Sequence, residues 1–305
     1  MATHREDGFS TTSRSHDDVT TTPSASSSGR RPRARASLQS KDAISFMALL
    51  ADIMRLQEQT LAMSYLYLHK YRKFIRDSKN RPDPVPDFLD PHTLALTTLS
   101  LSTKSTESPR RLRALITPAY SILHPNLPPI EVPSHKYDTL RGTIVTAELH
   151  LLRILKFELR HPIPHDYISR VLDKSLSIIP GEDFDRQNDE RKEEDGIVKI
   201  EDTFLGRQCM GLATRCLAEY SIATFYDART IACGVVAVVL EGTGILRTES
   251  QDAWVRRVGG GNVEIEDYRD VIKEVTIVYE GGVGVTVQEI SVQEGGDLAI
   301  KGVIE

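Results

Sequence analysis

The chain has 305 residues, 40% of them apolar, 27% charged and 6% aromatic, enough for about two domains of ordinary size. Its longest clean apolar run, Ile231 to Leu240, falls short of the roughly 18 residues a membrane span needs. Arg5, Glu6 and Asp7 stand where a secretory leader would be apolar, so the expectation is an intracellular chain with no membrane partner. A net charge of -5 speaks against wholesale nucleic-acid binding. Cys209, Cys216 and Cys233 lack CxxC spacing and an even count, so they read as buried small hydrophobes rather than a disulfide framework or a zinc site.

Residues 1–41 are rich in Ser, Thr and Arg, with Phe9 and Val19 almost alone as large apolar side chains, and read as a disordered tail. Within it Arg30, Arg31, Arg33 and Arg35 form a basic cluster suited to nuclear import or electrostatic tethering. From Ala43 onward, Ile44, Met47, Leu50 and Met54, then Leu61, Tyr65 and Leu68, recur at three- and four-residue steps, the signature of helices with a buried stripe. Asp90-Pro91 is an N-cap followed by a first-position proline. The helix it opens, through Leu94, Leu96, Leu99 and Leu101, is otherwise Ala, Ser and Thr, which suits a central helix approached from several sides. A shorter helix follows from Pro109 to Tyr120, then a proline-rich connector from His124 to Pro133, then a strong helix from Leu140 to Phe157 with Ile144, Val145, Leu151, Leu152 and Leu155 on one side.

Asp166 to Leu176 is a further helix, and residues 181–196 carry eight acids against three bases and read as a solvated loop. Helices are then expected over Phe204–Ile222, Asp227–Leu240 and Tyr268–Val278, and a tail over 281–305. Asp90-x-x-Thr93-Leu94-Ala95 recurs as Asp227-x-x-Thr230-Ile231-Ala232, 137 residues later, an internal repeat that suggests two related halves.

Catalytic motifs are missing. His161 and His165 are separated by Pro162 and Pro164 and read as a turn, not a zinc pair. Gly259-Gly260-Gly261 lacks the Lys-Ser/Thr of a phosphate loop, and neither G-x-S-x-G nor H-E-x-x-H occurs. No metal or cofactor is expected. One residue is out of place: Glu148 sits among Ile144, Val145, Leu151 and Leu152, so no cation on its own helix can pair with it and a partner must come from elsewhere. Lys104, near a helix C-terminus, is mildly favoured by the helix dipole, with Glu107 as a local partner.

Several segments together resemble the cyclin family, most closely its transcription-linked members of the cyclin Q and cyclin L kind. Leu68-His69-Lys70-Tyr71 is similar to the end of the second cyclin-box helix. The run from Leu94 to Arg111, with Lys104, Glu107 and then Pro109-Arg110-Arg111, resembles the family's Leu-Ala-Ser/Gly-Lys-x-Glu-Glu stretch. Leu140 to Leu159, around Ala147-Glu148-Leu149-His150 and Lys156-Phe157-Glu158-Leu159, is similar to the fifth helix, and His161-Pro162-Ile163-Pro164-His165 continues the match.

The resemblance implies an all-α chain: two five-helix cyclin boxes in tandem, over 42–160 and 161–280, the second one shortened. It implies that Lys104 and Glu148 grip the backbone of a cyclin-dependent serine/threonine kinase, that Leu152, Phe157 and Leu159 pack on the same kinase helix, and that Glu107 lies on that face. The chain would then be a nuclear regulatory subunit in transcription or RNA-processing control, performing no chemistry itself, and in the free chain Glu148 would face water. The alternative is a cyclin-fold adaptor for transcription or chromatin proteins that activates no kinase. Departures stand beside the match: Thr106 replaces an acid, the first helix has neither the arginine nor the tryptophan of the substrate-docking patch, and Trp254 to Gly261 matches no family helix.

Overall fold

A computed structural model describes residues 43–79, 89–176, 200–245 and 249–290, the last nine of these as backbone alone. The N-terminal tail with its arginine cluster, the acidic stretch 181–196 and residues 291–305 lie outside the described residues. Those described are helical, with turns and no strand. The described residues belong to one compact unit.

In its first part, α1 (43–53), α2 (Glu58–Ser78), α3 (Pro91–Ser105), α4 (Leu112–Leu123) and α5 (His135–Ile154) gather around α3, which touches α2, α4 and α5. Asp90 caps α3 as its chemistry predicts, accepting from the backbone N–H groups of His92 at 3.0 Å and Thr93 at 3.1 Å. The helix is buried on nearly every side, and its small polar residues are the reason it can be. Thr97, Thr98, Ser102 and Thr103 each donate to a carbonyl three or four residues back, so no hydroxyl needs water.

In the second part, α6 (His165–Leu176), α7 (Phe204–Ala218), α10 (Gln251–Gly259) and α11 (Ile265–Ile290) gather around α9 (Ala228–Gly242), while α8 (Tyr220–Phe225) packs on α7 and α2. Asp227 caps α9 by accepting from Arg229 N at 3.0 Å. The two copies of the repeated motif therefore open the two central helices. α9 carries buried Val, Ile and Ala where α3 carries Thr and Ser, and at Gly234 it approaches α11 so closely that an added Cβ would lie 2.6 Å from Val271 Cγ1.

The boundaries differ from the sequence reading where caps or carbonyl partners intervene. α5 starts at His135, not Leu140, because Ser134 accepts from Tyr137 N at 3.2 Å. The expected helix 204–222 is two helices, since Glu219 adopts an extended backbone. The freed carbonyl of Leu217 then accepts from His69 Nε2 of α2 at 3.0 Å, tying the two helical groups together. Residues Trp254 to Gly261, given no helix in the sequence reading, belong largely to α10, capped by Ser250 and buried through Trp254, Val255 and Val258. α11 continues to Ile290, past the point where a tail was expected.

The cysteines are buried and free, and burial pushes all three thiols up to about 12. Among the described residues, no cluster of His, Cys, Asp and Glu could hold a metal ion, and no helix is long and apolar enough to cross a membrane.

Candidate interaction face on helices α3 and α5

The partner that Glu148 lacks on its own helix is Lys104. Lys104 Nζ lies 2.8 Å from Glu148 Oε1 and 2.7 Å from Oε2, bridging the last turn of α3 to the middle of α5. Ser100, one turn earlier on α3, donates its hydroxyl to the same carboxylate. The expectation that this carboxylate faces water in the free chain is corrected: Glu148 is only 7% exposed, because α3 is narrow enough along its Ser and Thr positions for α5 to close over it. The ammonium is different. The Lys104 side chain is 45% exposed, so the pair presents one cation at the surface of an otherwise buried contact.

Around that cation lies apolar surface. Val145 and Leu149, on the outer side of α5, are 41% and 51% exposed. Leu152 is half-buried against the core, as is Leu159 beyond the helix. Placing Val145 on the buried side of α5 is therefore a second correction: the buried stripe is Ile144, Ala147, Glu148 and Leu151, one position around the wheel. Phe157 is 68% exposed and does not belong to the core.

The turns that end α3 and α5 shape this face. Both helices close in the same way, the N–H of the second residue past the cap reaching back five residues: Ser108 N to Thr103 O and Phe157 N to Leu152 O, each 2.9 Å. Such closures put one residue in the left-handed region, where glycine is the ordinary choice. The second half follows that rule after α9, with Gly244 at φ 77°. At the candidate face the position is filled by Glu107 at φ 57° and Lys156 at φ 54°, and Phe157 follows at φ 59°. Left-handed backbone costs an L-residue of this kind roughly 1–2 kcal/mol, and Arg55, at φ 50° in the same closure after α1, carries it as well.

Tyr67 of α2 holds the segment after α5 in place. Its hydroxyl donates to Leu159 O at 2.6 Å and lies 2.8 Å from Ser105 Oγ. Thr106 is used inside the chain: it donates to Ser102 O and contacts Thr60 Oγ1, both at 2.9 Å. Glu107 reaches Arg160 at 3.6 Å, but both side chains are more than 80% exposed, so the pair adds little. Lys104, Glu148, Leu152, Phe157, Leu159 and Glu107 thus lie along the α3–α5 side of the first bundle, with Glu148 beneath the surface and the others reaching it. Val145 and Leu149 belong to the same face, and the regular 145, 149, 152 spacing was the signal that could have found them.

No protein-family model matches the chain. Its structure is similar to a chain in the crystal structure of the yeast RNA Pol II CTD kinase CTDK-1 complex, with a TM-score of 0.57 and 12% identity, over 88% of this chain and 80% of that one. The all-helical fold implied by the resemblance to cyclins is the fold observed.

Proposed function

We propose that the chain is a cyclin-like regulatory subunit that binds and activates a cyclin-dependent serine/threonine kinase through the α3–α5 face, in RNA polymerase II transcription or RNA-processing control. The observation that carries the reading is the joint presence, on one face, of a half-exposed lysine held by a buried carboxylate and an exposed phenylalanine held on strained backbone. Both the ammonium and the ring reach solvent rather than the core of the chain. The fold similarity to a chain of a kinase complex supports the reading, as does the residue-by-residue match of Lys104 and Glu148 to the family's kinase-gripping pair.

The mechanism follows from kinase chemistry. A protein kinase aligns ATP only when the lysine of its third strand pairs with the glutamate of its regulatory helix. A subunit that binds the helix-in state alone shifts the population toward it. Reversing a 1:99 equilibrium requires about 5.5 kcal/mol of differential affinity. A central aromatic anchor with apolar neighbours and a satisfied cation can supply this much. On this reading Lys104, already oriented by Glu148, donates to kinase backbone carbonyls, and Phe157 with Leu149 and Leu152 covers the apolar side of the regulatory helix. The two boxes span 42–160 and 161–280, and the protein acts in the nucleus.

The test is affinity capture of the tagged full chain from its own cells. A kinase recovered in stoichiometric amount, active on a polymerase C-terminal-domain peptide, is expected. Stoichiometric transcription or chromatin partners without kinase activity would establish the adaptor instead.

A further inference from the structure

Away from the α3–α5 face, a concavity of about 280 Å³ lies where α6, the start of α9 and the end of α10 meet. Arg170 and Lys174, four residues apart on α6, line one wall, and Arg229 lines another. Among the described residues that line it there is no carboxylate. Two of the cations are placed against a local preference of the chain. Like charges four apart on a helix repel, and Arg229 stands in the first turn of α9, where the helix dipole disfavours a positive charge. Arg229 is nonetheless fixed, its guanidinium 5.1 Å from the Tyr167 ring centroid and its Nη1 3.4 Å from Gly259 O.

The remaining wall is backbone and amide. Gly259 admits no side chain, since a Cβ there would lie 2.8 Å from Val263 Cγ2, and Gly260 turns the chain at φ 64°. Asn262 adds a neutral polar side chain at the edge. Three cations, a bare peptide wall and an amide suit an anion with several acceptor oxygens. The volume lies below the roughly 300–1,000 Å³ that drug-sized ligands occupy, which fits a small charged group better than a whole cofactor.

We propose that this concavity binds the phosphoryl group of a phosphorylated serine or threonine on a protein chain, with the Arg229 fork and the Arg170 and Lys174 charges holding its oxygens. A phosphomonoester carries nearly two negative charges at neutral pH, matching the charges of Arg170 and Arg229, and an arginine fork meets two of its oxygens at once. The choice of phosphoserine or phosphothreonine among anions rests on the kinase reading, because such groups are what a serine/threonine kinase makes.

The experiment titrates the isotopically labelled full chain with inorganic phosphate, with a capped Gly-phosphothreonine-Gly peptide and with its unphosphorylated form, following amide resonances. The phosphopeptide is expected to shift Arg229, Gly260 and Asn262, and to bind at least tenfold more tightly than the unphosphorylated peptide and measurably more tightly than inorganic phosphate. Arg170→Gln, at an exposed position, and Arg229→Lys, which keeps charge but loses the fork, should each weaken binding at least fivefold. Arg256→Gln, exposed on α10 and outside the concavity, should not. Equal binding of both peptides, or equal losses from Arg256→Gln, would overturn the site, and inorganic phosphate binding as tightly as the phosphopeptide would overturn the protein-borne ligand. No kinase is present in the titration, so failure here leaves the kinase reading standing, and failure to recover a kinase leaves this measurement interpretable.

Discussion

Phe157 and the Lys104–Glu148 pair make opposite predictions about stability. At Phe157 the backbone is left-handed and the ring is largely in solvent, so Phe157→Gly removes strain and little packing. Thermal melting of the free chain should rise by the equivalent of about 0.5–1 kcal/mol, while kinase binding weakens tenfold or more by titration. A loss of both stability and binding would show that the ring packs inside the fold. Lys104→Ala should act the other way, leaving a 7%-exposed carboxylate with the Ser100 hydroxyl but no cation. Breaking a fully buried pair costs roughly 3–5 kcal/mol. The half-exposed ammonium of Lys104 reduces that to about 1–2 kcal/mol. Glu148→Gln, which keeps the shape and loses the charge, should cost less than Lys104→Ala. Lys104→Ala variants that melt with the parent would mean the pair is slack in the free chain.

Helix packing carries a pH dependence. His69 of α2, bonded to Leu217 O, and His165 of α6, 3.0 Å from Thr214 Oγ1, are both almost wholly buried. Burial, with nearby Arg72 adding to it for His69, lowers each imidazole from its ordinary 6.5 to about 4. Between those values the unfolded chain takes up protons that the folded chain refuses. Stability is therefore complete above about pH 6.5 and falls as the pH drops toward 4, by on the order of 3 kcal/mol per histidine. Melts at pH 7 and pH 5 should show the decline, and His69→Gln, which retains an N–H for Leu217 O, should flatten it. An unchanged slope would place the titration elsewhere. The same element scale governs Gly234: Gly234→Ala drives a methyl against Val271 and should cost roughly 1–3 kcal/mol of overpacking, read as a lower denaturant midpoint.

For the molecule as a whole, the proposed function predicts that surface and stability changes can be separated. A Lys104→Ala/Phe157→Gly double variant combines a destabilising change with a stabilising one. It should melt close to the parent and yet lose most kinase activation, measured as phosphate transfer by the reconstituted pair. Full activation by this folded variant would move the kinase contact off the α3–α5 face.

The sequence by itself determined most of the helices and their order, though not α10 or the break between α7 and α8. Apolar steps of three and four, the Asp90-Pro91 and Asp227 caps and the small residues of the α3 segment are local facts, and local hydrogen bonding and side-chain size act on them directly. It also singled out Glu148, because a carboxylate without an intrahelical cation is visible from spacing alone. What covers Glu148 was not visible: Lys104 and Ser100 lie more than forty residues away, and only the crossing of α3 and α5 decides that they meet it. Tertiary structure likewise decided that Val145 faces out, since a rotation of one position about the helix axis changes which side chains meet the neighbouring helix. The contact of His69 with the Leu217 carbonyl across the bundle junction, beside the split after Ala218, is likewise tertiary, as is the basic concavity where α6, α9 and α10 converge. Such features arise from contacts between elements, and no stretch of sequence contains both partners.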